Sequence, residues 1–280
     1  MGIIRFLIKK SFYSRKTLIA MALLIIYAIA ITAARYWLTL DNIEQYYLAG
    51  MEYRPQHALV LWLGYQEAFI GSSEGLVQNI IEMLSDLFPV VIIPLLLTLL
   101  GTDSYYDDRK AGMINIIKTK TAVNRYYLLL CVYIFLKTFL IIAFFYGFQL
   151  AAALLTNKLW LSEALPAINS TSVSVLEIMI PILKLSLYYS ALAAATYCIS
   201  LLLNKVLVII ILLPLLLSFG VSVITIRIWQ NDPLALAFYE SGLAKPDQKV
   251  YWIYICFLLC LSIAAFIGRL IIDRNEVADA

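Results

Sequence analysis

Apolar residues in this chain come in continuous runs, separated by short charged segments, and do not alternate with polar residues at a two-residue period. A helix needs roughly 20 apolar residues to cross about 30 Å of hydrocarbon. Runs such as Val206 to Phe219 lack the short alternating stretches of a transmembrane β-barrel. The pattern predicts an all-α polytopic membrane protein, a single transmembrane domain over 1–280, with six transmembrane helices at about 17–35, 80–100, 126–155, 173–203, 206–226 and 250–272. Pro89 and Pro94 predict a kink in the second span. Residues 36–79 form an acidic, aromatic loop with Asp41, Glu44, Glu52, Glu67 and Glu74, expected to fold as short helices at the outer interface. Residues 227–249, polar at both ends and apolar in the middle, predict an external helical cap.

Composition agrees with that reading. The chain is 63% hydrophobic and 14% charged, against about 45–50% and about 25% for an ordinary soluble domain. Residues 1–16 carry Arg5, Lys9, Lys10, Arg15 and Lys16 without an acid, interleaved with Ile3, Ile4, Phe6, Leu7, Ile8 and Phe12. They form either an amphipathic helix on an anionic membrane face or a basic flank that orients the first span. With the N-terminus inside, thirteen Lys and Arg fall in internal segments, six in external ones and two (Lys137 and Lys184) within spans. That excess of positive charge places both termini in the cytoplasm. It also puts the polar island 102–124 on the cytoplasmic side. The expected location is the cell membrane, most simply a bacterial plasma membrane, and nothing in the charge pattern points to nucleic acid.

Little in the sequence carries catalysis. No GxxxxGK[ST] loop is present, so ATP hydrolysis by this chain is not expected. His57 is the one histidine, too few for a zinc protease or a multi-histidine site. Gly71 to Gly75 matches GxSxG, but the histidine precedes Ser73 and no strand leads into it. Asn169, Ser170 and Thr171 form a sequon, relevant only in a glycosylating pathway. Cys131, Cys198, Cys256 and Cys260 all lie in apolar runs and read as buried small hydrophobes, with neither a disulfide framework nor a metal. Ser186, Ser190 and Ala194, like Ala264 and Gly268, have the four-residue spacing that lets membrane helices approach closely. A lysine in mid-membrane costs roughly 2.5–3.5 kcal/mol on insertion scales. Lys137 and Lys184 therefore face the bundle interior, pair or snorkel. With Glu177, seven residues before Lys184, they are the candidates for a polar substrate path.

The segment Gly101 to Arg125 joins two acids, a glycine, an apolar turn and an arginine opening the next span. Its marker residues are Asp107, Asp108, Gly112, Met113, Ile114, Ile116, Ile117 and Arg125. An apolar centre inside a charged rim is the anatomy of a protein interface, and an amphipathic helix on the inner leaflet has the same composition. With six spans and a basic N-terminus, the chain resembles the permease subunits of type-2 ATP-binding-cassette (ABC) exporters. The resemblance implies that 102–124 is a cytoplasmic coupling segment docking on a separate ABC ATPase through those eight residues. It also implies a second permease subunit, identical or related, ATP and Mg on the ATPase with no cofactor on this chain, and export of an amphipathic substrate: a peptide (such as an antimicrobial peptide), a drug or a lipid. The chain departs from the family pattern at Asp107 and Asp108, where Glu is frequent, at Val123-Asn124, where Pro-Ser is frequent, and at Tyr133, where a basic residue is frequent. Two other classes fit the composition: an ion-coupled secondary transporter using Lys137, Lys184 and Glu177, and a membrane immunity or regulatory subunit that transports nothing.

Overall fold

A computed structural model describes residues 14–48, 91–102, 104–112, 123–156, 175–203, 211–220 and 249–278, and among them no strand occurs. Among these residues the helices are α1 (Arg15–Leu48), α2 (Ile93–Leu97, continued by a wide turn Thr98–Thr102), α3 (Ser104–Lys110), α4 (Val123–Thr156), α5 (Val175–Leu202), α6 (Ile211–Gly220) and α7 (Lys249–Ala278). Among the described residues, three stretches are long and apolar enough to cross a membrane: Asn124–Gln149, Ile182–Leu202 and Tyr251–Ile272. Helix α1 covers the predicted first span and runs on, unbroken, to Leu48. The expected outer loop therefore begins as helix, because no glycine or proline interrupts the chain before Gly50.

The break near the second span is not at Pro94. That proline sits in the first turn of α2, where its missing N–H is not needed. The chain turns instead at Gly101, with φ 118° and ψ 15°, a conformation that L side chains resist. A methyl group there would also lie 3.0 Å from Ser104 Oγ. Gly101→Ala is therefore expected to cost about 1–3 kcal/mol, read as a lower unfolding temperature of the purified protein in lipid nanodiscs.

Helix α5 is the axis of the bundle. Most of its span is enclosed, whereas α4 and α7 are covered on one side only. Helices α4 and α7 pack on α5, α1 packs on α4, and the α2 turn sits among α1, α4 and α5. Small residues make the centre possible. Ser186 and Ser190 are fully buried and return their hydroxyls to the carbonyls of Ile182 and Ser186, which satisfies them within their own helix. A methyl on Gly268 of α7 would meet Leu202 at 3.6 Å, an ordinary van der Waals contact, so α7 packs on α5 there. Ala264, the other half of the α7 pair, is exposed.

Pairwise contacts give the helix directions. Thr17 meets Lys137 and Tyr27 meets Phe145, so α1 and α4 run parallel. Tyr251 meets Lys184, and Gly268 meets Leu202, so α5 and α7 are parallel too. Cys131 faces Cys198, while Tyr127, one turn earlier, lies with Tyr105 and Arg269 beside the Gly268–Leu202 contact. Helix α4 is thus antiparallel to α5. The outward faces are apolar: Leu128, Val132, Leu136, Leu140 and Phe144 form a stripe on α4, and Ile253, Phe257, Ile263, Ile267 and Ile271 cover α7. Such faces suit hydrocarbon rather than water. Cys256 and Cys260 lie exposed on the α7 face, which corrects the expectation that all four cysteines are buried.

Candidate functional site

Helix α3 closes the end of the bundle where α4 begins and α5 ends. Its last turn carries Arg109 and Lys110, which suit the negative end of the helix dipole. Gly112, at φ 70°, ends it: the Ala111 N–H donates to the Asp107 carbonyl at 2.9 Å and the Gly112 N–H to the Arg109 carbonyl at 3.0 Å. Left-handed glycine is the usual device for such a helix end.

Three side chains of α3 hold it to three different helices. Tyr105 is buried with its ring edge-on to Tyr127 of α4, centroids 5.5 Å apart, and the Arg269 guanidinium of α7 lies 5.8 Å from the Tyr105 ring centroid. A cation over an aromatic face gains more as water is removed. Asp108, 2% exposed, accepts a short hydrogen bond from the Tyr126 hydroxyl of α4. Asp107 lies outward and pairs with Lys16 of α1 at 2.6 Å.

Beneath α3, a buried lysine braces the turn that leads into it. Lys137 is 1% exposed; its Nζ donates to the Leu100 carbonyl at 2.8 Å and to Thr17 Oγ1 at 2.7 Å. The cation thus meets a carbonyl at the Gly101 break, where the helical ladder ends and carbonyls lack their usual donors. On the other side Ser200 of α5 donates to the Thr102 carbonyl at 3.2 Å. The approach to α3 is therefore fastened to α1, α4 and α5, and α3 itself to α1, α4 and α7.

Of the eight residues expected to dock a partner, Asp107 and Arg125 are exposed, Gly112 is half-buried and Asp108 is buried; Met113, Ile114, Ile116 and Ile117 lie outside the described residues. So do residues 1–13, 49–90 with His57 and the GxSxG stretch, the sequon, and 221–248 of the predicted cap. Lys137 and Lys184 lie at different levels of the bundle. In the antiparallel register set by Cys131 and Cys198, Lys137 lies level with residue 192, eight residues from Lys184, or about 12 Å along the axis. Lys184 is buried in another layer, where Tyr251 donates to its carbonyl at 2.7 Å, Tyr188 packs on Tyr254 with centroids 5.3 Å apart, and Tyr188 shares a hydrogen bond with Ser218 of α6. Glu177 is on α5, two turns before Lys184.

Sequence reasoning passed over Thr17, Gly101, Tyr105, Tyr126, Tyr127 and Arg269. One signal was available: the doublet Tyr105-Tyr106 lies near the start of the polar island and Tyr126-Tyr127 just past its end, and buried tyrosines in a membrane protein need partners for their hydroxyls. Among the described residues no cluster of three or more His, Cys, Asp or Glu side chains could hold a metal. The geometry joins α3 to α1, α4 and α7 through specific side-chain contacts. No family model matches this chain, and neither the curated proteins nor the solved structures contain a significant match to it.

Proposed function

We propose that this chain is the membrane-spanning permease subunit of an ABC exporter, which couples ATP hydrolysis on a separate ATPase to the export of an amphipathic substrate, with a peptide favoured. The observation that carries the reading is α3: a short helix at one end of the bundle, ended by Gly112 and held by Lys16, Tyr126, Tyr127 and Arg269. A partner pressing on this end would move α1, α4 and α7 together. In this reading Asp107, Gly112, Arg125 and the apolar residues Met113, Ile114, Ile116 and Ile117 face the ATPase, while Asp108 fastens the helix from within. ATP and Mg are bound by the ATPase, and a second permease subunit completes the assembly.

Helix directions support six spans. Parallel α1 and α4 need a return crossing between them, and the α2 segment runs the required way: Gly101 lies by Ile134, and Tyr105, further on, by the earlier residue Tyr127. Parallel α5 and α7 need another return, and α6 lies in that interval. Six spans put both termini on one side, the cytoplasmic side by charge bias, with the protein in the cell membrane. An ion-coupled transporter draws less support, because Lys137 is engaged in holding the Gly101 turn.

Asp107→Lys tests the reading. The Lys16–Asp107 pair is exposed, with side chains 43% and 48% accessible, and such pairs contribute only about 0–1 kcal/mol. The fold should therefore survive, while co-purification of an ATPase in mild detergent falls several-fold. If no nucleotide-hydrolysing protein accompanies the wild-type chain, and vesicles holding this chain alone move a cationic amphipathic peptide without ATP, the proposal fails.

A further inference from the structure

Two of the four cysteines meet inside the bundle. Cys131 of α4 and Cys198 of α5 place their sulfur atoms 3.5 Å apart, both as free thiols. They are separated by 67 residues, so sequence spacing gives no hint of the pair. A disulfide has an S–S distance of about 2.04 Å, so 3.5 Å leaves about 1.5 Å to close. The two thiols differ in access. Cys198 is 1% exposed, whereas Cys131 is half-buried. Cys131 also lies six residues after the exposed Arg125, about 9 Å along α4, near the end of the bundle closed by α3.

We propose that Cys131 and Cys198 form a reversible intramolecular disulfide site, oxidised by hydrogen peroxide, with Cys131 as the attacking thiol and Cys198 as the resolving one. The thiolate is the nucleophile in such chemistry. Cys131 sulfur attacks one peroxide oxygen; the O–O bond breaks, a water leaves and Cys131 becomes a sulfenic acid. Cys198 sulfur then attacks the Cys131 sulfur, its S–O bond breaks, and the hydroxyl departs as a second water with the Cys198 proton. Two thiols and one peroxide become one disulfide and two waters, with two electrons passing from sulfur to peroxide oxygen. Peroxide suits the site because it is small and uncharged, whereas a charged peptide disulfide would have to enter between apolar helices. The bond would fix α4 to α5 one turn from Tyr126 and Tyr127, the residues that grip α3. The inference rests on the α4–α5 contact alone and does not depend on the transport reading.

The full-length protein in lipid nanodiscs is treated with hydrogen peroxide, blocked with a maleimide, digested without reduction and mapped by mass spectrometry. The expected product is a Cys131–Cys198 linked peptide in most molecules, removed by dithiothreitol, with Cys256 and Cys260 linked to neither. In a Cys198→Ala variant the sulfenic acid should persist on Cys131 and be trapped by dimedone. The proposal is overturned if both thiols of the wild type remain alkylatable, if Cys131 advances to sulfinic acid while Cys198 stays reduced, or if Cys131 links only to a cysteine of another copy. The wild-type map decides the question even if the variant does not accumulate.

Discussion

Lys137→Ala should destabilise the protein more than any other single truncation near α3, by about 2–5 kcal/mol, the range for emptying a large buried side chain. Two effects act in the same direction. The truncation leaves a space among Ile134, Gly101 and Thr17, and it removes the donor that Lys137 gives the Leu100 carbonyl and Thr17 hydroxyl. A buried acceptor deprived of its donor costs about 1–3 kcal/mol, and hydrocarbon offers no water to replace it. Lys137→Met separates the two. Methionine refills the space and removes the cost of burying a charge, so its loss should be much smaller than that of alanine. Thermal unfolding in nanodiscs gives the comparison. If methionine proves as damaging as alanine, the hydrogen bonds at the Gly101 turn, rather than the volume, are what Lys137 contributes.

Asp108→Lys should be the most damaging substitution on α3, with a loss of about 3–5 kcal/mol, as for a buried charge left without its counterpart. The position is 2% exposed and faces the Tyr126 hydroxyl. A lysine there can still meet the phenol oxygen, but it puts an ammonium where a carboxylate fits. Asp108→Asn keeps an acceptor for Tyr126 and should lose far less, about 0.5–1.5 kcal/mol, the net worth of an ordinary hydrogen bond. Asp108→Ala and Tyr126→Phe should then be non-additive, with a coupling of about 0.5–3 kcal/mol in a double-mutant cycle. Additive losses would show that the two groups do not act as a pair. Set beside the mild Asp107→Lys, this separates neighbouring acids by role: one fastens α3 inward, and the other lies outward toward the proposed partner.

The hydrophobic pattern alone determined that the chain is helical and apolar enough for a membrane, and it located α4 and α5 to within a few residues, whereas α1 runs to Leu48, well past the predicted end at 35. Whether a segment enters hydrocarbon depends on its own length and composition, so a continuous run such as 126–155 needs no tertiary context. The same uniformity hides the interior. A helix that is apolar on every side carries no stripe to say which face meets a neighbour, so the sequence did not single out α5 as the axis. Nor could it show that Lys137 reaches Thr17 across 120 residues, that Asp108 faces inward while Asp107 does not, or that Cys131 meets Cys198. Those facts depend on the rotation and register of packed helices. In a membrane, close fit among small residues and a few hydrogen bonds sets both, and only the tertiary structure fixes them.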